Sequence, residues 1–206
     1  IRLQPNPEDL RDTSGNAIAP VPVDPNPNNN SLSVFTTQTL LTLQGASYLH
    51  FKDLTFQYAR RIMDLQTGTK NISLTNCIIN YGSYGILATG ADTGEITGCD
   101  FNNGVPMAMY WTDVKNSEAG AGNEPYPEVQ SNALNAFSNL NIHHNTFRRS
   151  FDGISLKEGG VSNVTIRNNY FLQLKDAAIN LSLDNSNVEI AYNLFWHHHS
   201  GISFFK

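Results

Sequence analysis

Asn139-Leu-Asn-Ile-His-His-Asn-Thr-Phe147, Asn163-Val-Thr-Ile-Arg-Asn-Asn-Tyr-Phe171 and Asn187-Val-Glu-Ile-Ala-Tyr-Asn-Leu-Phe195 are the stretches of this 206-residue chain that decide its fold. After a leading Asn they share one form: apolar, any, apolar, two polar residues, Asn, any, Phe. Earlier copies run from Tyr48 to Phe56, Asn71 to Ile79 and Glu95 to Phe101, with Leu54, Cys77 and Cys99 at the Asn position. The final apolar residue falls at Phe56, Ile79, Phe101, Phe147, Phe171 and Phe195, in steps of 23, 22, 46, 24 and 24. The step of 46 is either two periods or one period plus an insertion of about 22 residues.

Apolar residues alternate with polar ones inside each copy, the period of a strand with one face buried. A second strand follows at Arg61-Ile62, Gly85-Ile86, Met107-Ala-Met109, Gly153-Ile154, Ala178-Ile179 and Gly201-Ile202. One such turn cannot bury its apolar face, but stacked turns can, each about 4.8 Å above the last. A β-sandwich would give evenly spaced turn signals without this register of residue identity. The predicted fold is therefore all-β, a right-handed parallel β-helix of six to seven turns spanning residues 40–206. A loop insertion is expected at about 112–138. Residues 1–39, with Pro5, Pro7, Pro20, Pro22, Pro25 and Pro27, read as an irregular arm leading into the first strands. The strand pattern at both termini predicts a fragment of a longer β-helix.

The Asn-x-Phe steps Asn145-Thr-Phe147, Asn169-Tyr-Phe171 and Asn193-Leu-Phe195, each followed by Gly-Ile or Ala-Ile, resemble the repeats of the pectate-lyase-like superfamily of parallel β-helix proteins. The resemblance covers about residues 40–206. It implies the fold firmly and leaves the activity open among polysaccharide lyases, glycoside hydrolases, epimerases, phage tailspikes and adhesins.

Composition narrows the partners. Charged residues are 15% of the chain and the net charge is −5, with no basic run. Nucleic acid and anionic membrane surfaces attract basic stripes, so neither is expected. No apolar run is long enough to span a bilayer. The resemblance implies instead an extracellular or cell-surface location and a polysaccharide partner.

The corner between Phe and Gly-Ile carries the candidate chemistry. In turn order it holds Tyr58, Arg60 and Arg61, then Tyr81 and Tyr84, Asn102 and Asn103, Arg148, Arg149 and Asp152, Lys175 and Asp176, and Trp196 to His199. Stacking is expected to bring Asp152 near Asp176 and both near His199. Lys157 points outward on the next strand, two residues from Ser155, with Glu158 beside it, Asn180 one turn on and Tyr110 on the neighbouring turn.

Three functions compete for these residues. A lyase, as the resemblance implies, would use Lys157 as base and Arg148 or Arg149 to neutralise a uronate carboxylate. A glycoside hydrolase would use Asp152 and Asp176 as its carboxylate pair, with Glu158 a third candidate. Ca²⁺, held by the oxygens of Asp152 and Asp176, is the one cofactor this chemistry leaves open. Catalytic roles are thus expected for Lys157, Asp152, Asp176 and Arg149, and substrate contacts for Arg148, Tyr84, Tyr110, Glu158, Lys175 and His199. The third reading is a rod with no catalysis, an adhesin or fibre that binds glycans or self-associates.

Three further motifs have plainer readings. Adjacent histidines 197–199 alternate sides in an extended segment and cannot all meet one metal, so no metal site is assigned. Cys77 and Cys99 share one ladder position and are either packed thiols or a disulfide. Asn71, Asn163 and Asn180 open Asn-x-Ser/Thr sequons, which matter only where the source glycosylates.

Overall fold

The computed structural model describes residues 37–82, 84–102, 137–156 and 160–205, and every regular element among them is a strand. Each turn begins with a strand of six or seven residues: β2 (Ser47–Lys52), β5 (Lys70–Thr75), β8 (Ala91–Thr97), β10 (Phe137–His143), β13 (Ser162–Arg167) and β16 (Ser186–Ala191). A three-residue strand follows: β3 (Thr55–Gln57), β6 (Ile78–Asn80), β9 (Asp100–Asn102), β11 (Thr146–Arg148), β14 (Tyr170–Leu172) and β17 (Leu194–Trp196). The third strand of a turn is β1 (Thr37–Leu43), β4 (Ala59–Gln66) and β7 (Tyr84–Thr89) at one end. At the other end it is β12 (Ile154–Leu156), β15 (Ala177–Ser182) and β18 (Ser200–Phe205). Like pairs with like in the next turn, always parallel, so two six-stranded and two three-stranded sheets run along the stack.

Register settles the step of 46. Phe147 pairs directly with Phe101, and β10 pairs with β8. The interval is therefore one turn carrying an insertion, not two turns. The expected loop 112–138 falls in the insertion; Phe137 and Ser138 already belong to β10, and the rest lies outside the described residues.

The core is the repeat's apolar set. Phe101, Phe147, Phe171 and Phe195 form a stacked column with centroids 4.7, 5.1 and 5.2 Å apart. Phe147 and Phe171 are fully buried, and burying a side chain of that size is worth about 2–3 kcal/mol. Offset stacking adds to that along the column.

The backbone turns its corners with left-handed residues. One set lies between the long and short strands: Asp53, Asn76, Gly98, His144, Asn168 and Tyr192, all with φ between 53° and 65°. A second follows the short strand, and a third opens each long strand, as at Asn139, Asn163 and Asn187. Asn enters this region at less cost than most residues, which accounts for its abundance here.

The Asn position of the repeat forms an inward amide ladder. The Oδ1 of Asn145 accepts from the Cys99 N–H at 2.9 Å, and its Nδ2 donates to the Ile96 carbonyl at 2.8 Å. Asn169 Oδ1 accepts from both the backbone N and the Nδ2 of Asn145, each at 3.0 Å. Asn193 repeats these bonds to Asn169 one turn later. A second amide ladder runs outside, Asn187 to Asn163 to Asn139, at 2.7 and 2.8 Å.

Cys77 and Cys99 continue the inner ladder as free, buried thiols, and the Cys77 N–H points at the Cys99 Sγ, 3.3 Å away. Burial pushes the Cys99 thiol up from 9.0 to about 12. Two results follow. Ellman's reagent at pH 8 should find no thiol in the folded protein and two after denaturation. The unfolded chain releases the Cys99 proton near pH 9 while the folded chain retains it. Stability conferred by this group is therefore full below about pH 9 and is lost as pH rises towards 12, which denaturant titrations across that window will show.

Candidate functional site

The expected corner is only partly assembled. Lys157, Glu158 and Tyr110 lie outside the described residues. Asp152 is not on a solvated surface: it is 1% exposed, and its Oδ1 accepts the Ala177 N–H at 3.1 Å. The register explains this. Ile154 pairs with Ile179, which places Asp152 level with Ala177 and Phe151 level with Asp176. The spacing between turns rises here from 24 to 25 residues, with Arg148 pairing Leu172 but Ile154 pairing Ile179. Asp152 and Asp176 are thus offset by one residue. Asp152 is buried, whereas Asp176 is half-buried at the surface. His199 is exposed and level with Asp176, because Ala177 pairs with Ser200.

The cations fare differently. Arg148 is already engaged by Asp100 through Nε to Oδ1 at 2.9 Å and Nη2 to Oδ2 at 2.5 Å. That bidentate bond is the main reason the Arg148 pKa is raised. Arg149 occupies a left-handed corner and is half-buried. Partial burial lowers the Lys175 pKa. Tyr84 opens β7, in register with Arg61, on a different sheet and two turns removed from Asp152.

Of the adjacent histidines, His197 and His199 are exposed, while His198 turns inward and accepts the Leu174 N–H at 3.4 Å. Burial, the largest cause, lowers its pKa below 6.5. Among the described residues no three His, Cys, Asp or Glu side chains converge as a metal requires. Asn180 is 1% exposed, so its sequon is closed to modification in the folded chain.

The more complete surface is one the sequence reading passed over. On the short-strand sheet the first and third residues of each strand face outward, because the central Phe or Ile faces in. At the β14 and β17 turns those outward residues are Tyr170 and Leu172, then Leu194 and Trp196, in register. Tyr170, Leu194 and Trp196 are each more than half exposed, and Tyr192, at the adjoining corner, is 86% exposed. A groove of about 260 Å³ runs along this edge, lined by His144, Asn168, Asn169, Tyr170, Tyr192 and Leu194. Arg148 occupies the same outward row as Leu172 and Trp196. The signal was available in the repeat: the middle residue of Asn-x-Phe must face solvent, yet it is Tyr170 and Leu194 in the last two copies.

Parallel strands stacked turn on turn, with inward ladders and flat lateral sheets, define a β-solenoid. Residues 28–205 match the family described as the right handed beta helix region, and the chain belongs to that family. No curated protein and no solved structure matches it.

Proposed function

We propose that this protein binds an extended polysaccharide outside the cell, with sugar rings seated on the aromatic face of its last turns. The observation that carries the reading is the cluster of Tyr170, Tyr192 and Trp196, exposed together on one side of a rigid sheet beside a groove. Aromatic rings pack against the apolar faces of sugars, while the polar tips of Tyr and Trp meet hydroxyls. Exposed clusters of this kind on a soluble chain mark an interaction site. The repeat supplies the ruler: successive turns place equivalent side chains about 4.8 Å apart, so a linear chain can be met at several points.

The test is binding of the full chain to pectins, alginates, glycosaminoglycans and neutral plant glycans by affinity electrophoresis and calorimetry. Tyr192→Ala and Trp196→Ala should each weaken binding about tenfold, the worth of one lost aromatic contact. A double variant that binds every glycan as the parent does would sink the proposal.

Catalysis on the bound chain is a second reading, favoured by the lowered pKa of Lys175 beside Asp176 at the edge of the same turns. The same panel, with Ca²⁺ and then with chelator, separates the outcomes. Ultraviolet-absorbing products indicate elimination, new reducing ends alone indicate hydrolysis, and intact polymer leaves a binding rod.

A further inference from the structure

The groove edge holds a chain of hydrogen bonds that ends on one of its lining residues. Glu95 Oε1 lies 3.0 Å from His143 Nε2. His143 Nδ1 lies 3.1 Å from Thr97 Oγ1 and 2.8 Å from His144 Nδ1, with the two rings edge to face at 5.1 Å. The order is imposed by the stack: Glu95 and Thr97 stand on β8, His143 on β10 above them, and Thr97 pairs with His143. His144 follows at the left-handed corner, exposed, where it lines the groove with Asn168, Tyr170 and Tyr192.

Proton bookkeeping fixes the polarity of this chain. A carboxylate only accepts, so with both rings neutral His143 carries its proton on Nε2. Its Nδ1 is then an acceptor. His144 must place its own proton on Nδ1 to donate across the 2.8 Å contact. That leaves a lone pair on His144 Nε2, an acceptor fixed by Glu95 through an intervening ring.

We infer that His144 is a ligand-positioning residue of the groove, an acceptor set by the Glu95–His143 relay, and that the ligand is a neutral, hydroxyl-rich ring. Such a ring donates a hydroxyl to His144 Nε2 while its apolar face packs on Tyr170 and Tyr192. Asn168 and Asn169 also line the groove, and among the described residues no Asp, Glu, Lys or Arg does, which favours a neutral sugar over a uronate at this point. The inference rests on the glycan reading above and names the sugar class for part of that face.

The experiment has two independent arms. Nitrogen-15 histidine spectra at pH 8, without ligand, should show His144 protonated on Nδ1 and unprotonated on Nε2; Glu95→Gln should shift that tautomer population. Calorimetry with neutral and uronate oligosaccharides should then show the neutral set bound more tightly. Glu95→Gln and His144→Asn should each weaken binding about tenfold, one hydrogen bond's worth, with Asn chosen because it accepts the left-handed backbone. A proton found on His144 Nε2 in the parent overturns the relay even if glycans bind through the aromatic face. The expected tautomer with no glycan bound overturns the ligand assignment together with the glycan reading. Uronates bound in preference overturn the sugar class alone.

Discussion

Asn169→Ala is expected to lower the unfolding free energy by about 3 kcal/mol, because it leaves several buried polar groups short of partners at once. Asn169 Oδ1 is the acceptor for the Asn145 backbone N–H and for its Nδ2, and Asn169 Nδ2 supplies the donor for the Ile142 carbonyl at 3.0 Å. The residue is 1% exposed, so water does not replace those bonds. Asn145 Nδ2 keeps its bond to Ile96, which limits the damage, but the Asn145 N–H and the Ile142 carbonyl keep none of those given by Asn169. The outer ladder is the control. Asn163 also bonds an Asn above and below, but it is exposed, and Asn163→Gly preserves its left-handed backbone at φ 56°. That change should cost less than about 1 kcal/mol, since water takes over the bonds. Urea titrations with unchanged slope will compare the two. Equal losses would mean that burial of the ladder contributes nothing.

The contrast between these ladders shows what the sequence disclosed. Alternation and identity at fixed steps announced the strands, the Phe column and the inner Asn ladder, because each is a property of one turn repeated. Features that depend on how turns are offset were hidden. Asp152 looked like a surface acid level with Asp176. One extra residue between the turns, near Leu174, instead set it level with Ala177 and buried it against that N–H. Likewise 46 residues between Phe101 and Phe147 could be two turns or one, and only pairing decided it. The aromatic face was legible in principle. Tyr170, Tyr192 and Trp196 sit 22 and 4 residues apart, a spacing that means nothing until the chain is wound. The Glu95–His143–His144 relay needs the winding too, since Glu95 and His143 are 48 residues apart in sequence.

Gly153→Ala tests the offset directly and should be among the most damaging single-methyl changes in the chain. A Cβ at Gly153 would lie 2.5 Å from the Ala178 carbonyl oxygen, 2.9 Å from Phe171 Cδ1 and 3.0 Å from Leu174 Cδ1. The oxygen belongs to the backbone of the next turn, so it cannot move without spreading β12 from β15. Phe171 and Leu174 are both buried and have no free rotamer to take up. Overpacking of this kind costs about 1–3 kcal/mol or more, and a backbone contact belongs at the upper end. The same place in the repeat is Ala in the next turn, at Ala178, and Gly again at Gly201, where an added Cβ meets nothing within 4 Å. Gly201→Ala should therefore change stability by less than about 0.5 kcal/mol. Repeat position alone would rank the two substitutions equal. If thermal and urea unfolding find them equal, the crowding at Gly153, and with it the 25-residue offset that also buries Asp152, is wrong; a wide gap places both on the same local displacement of the stack.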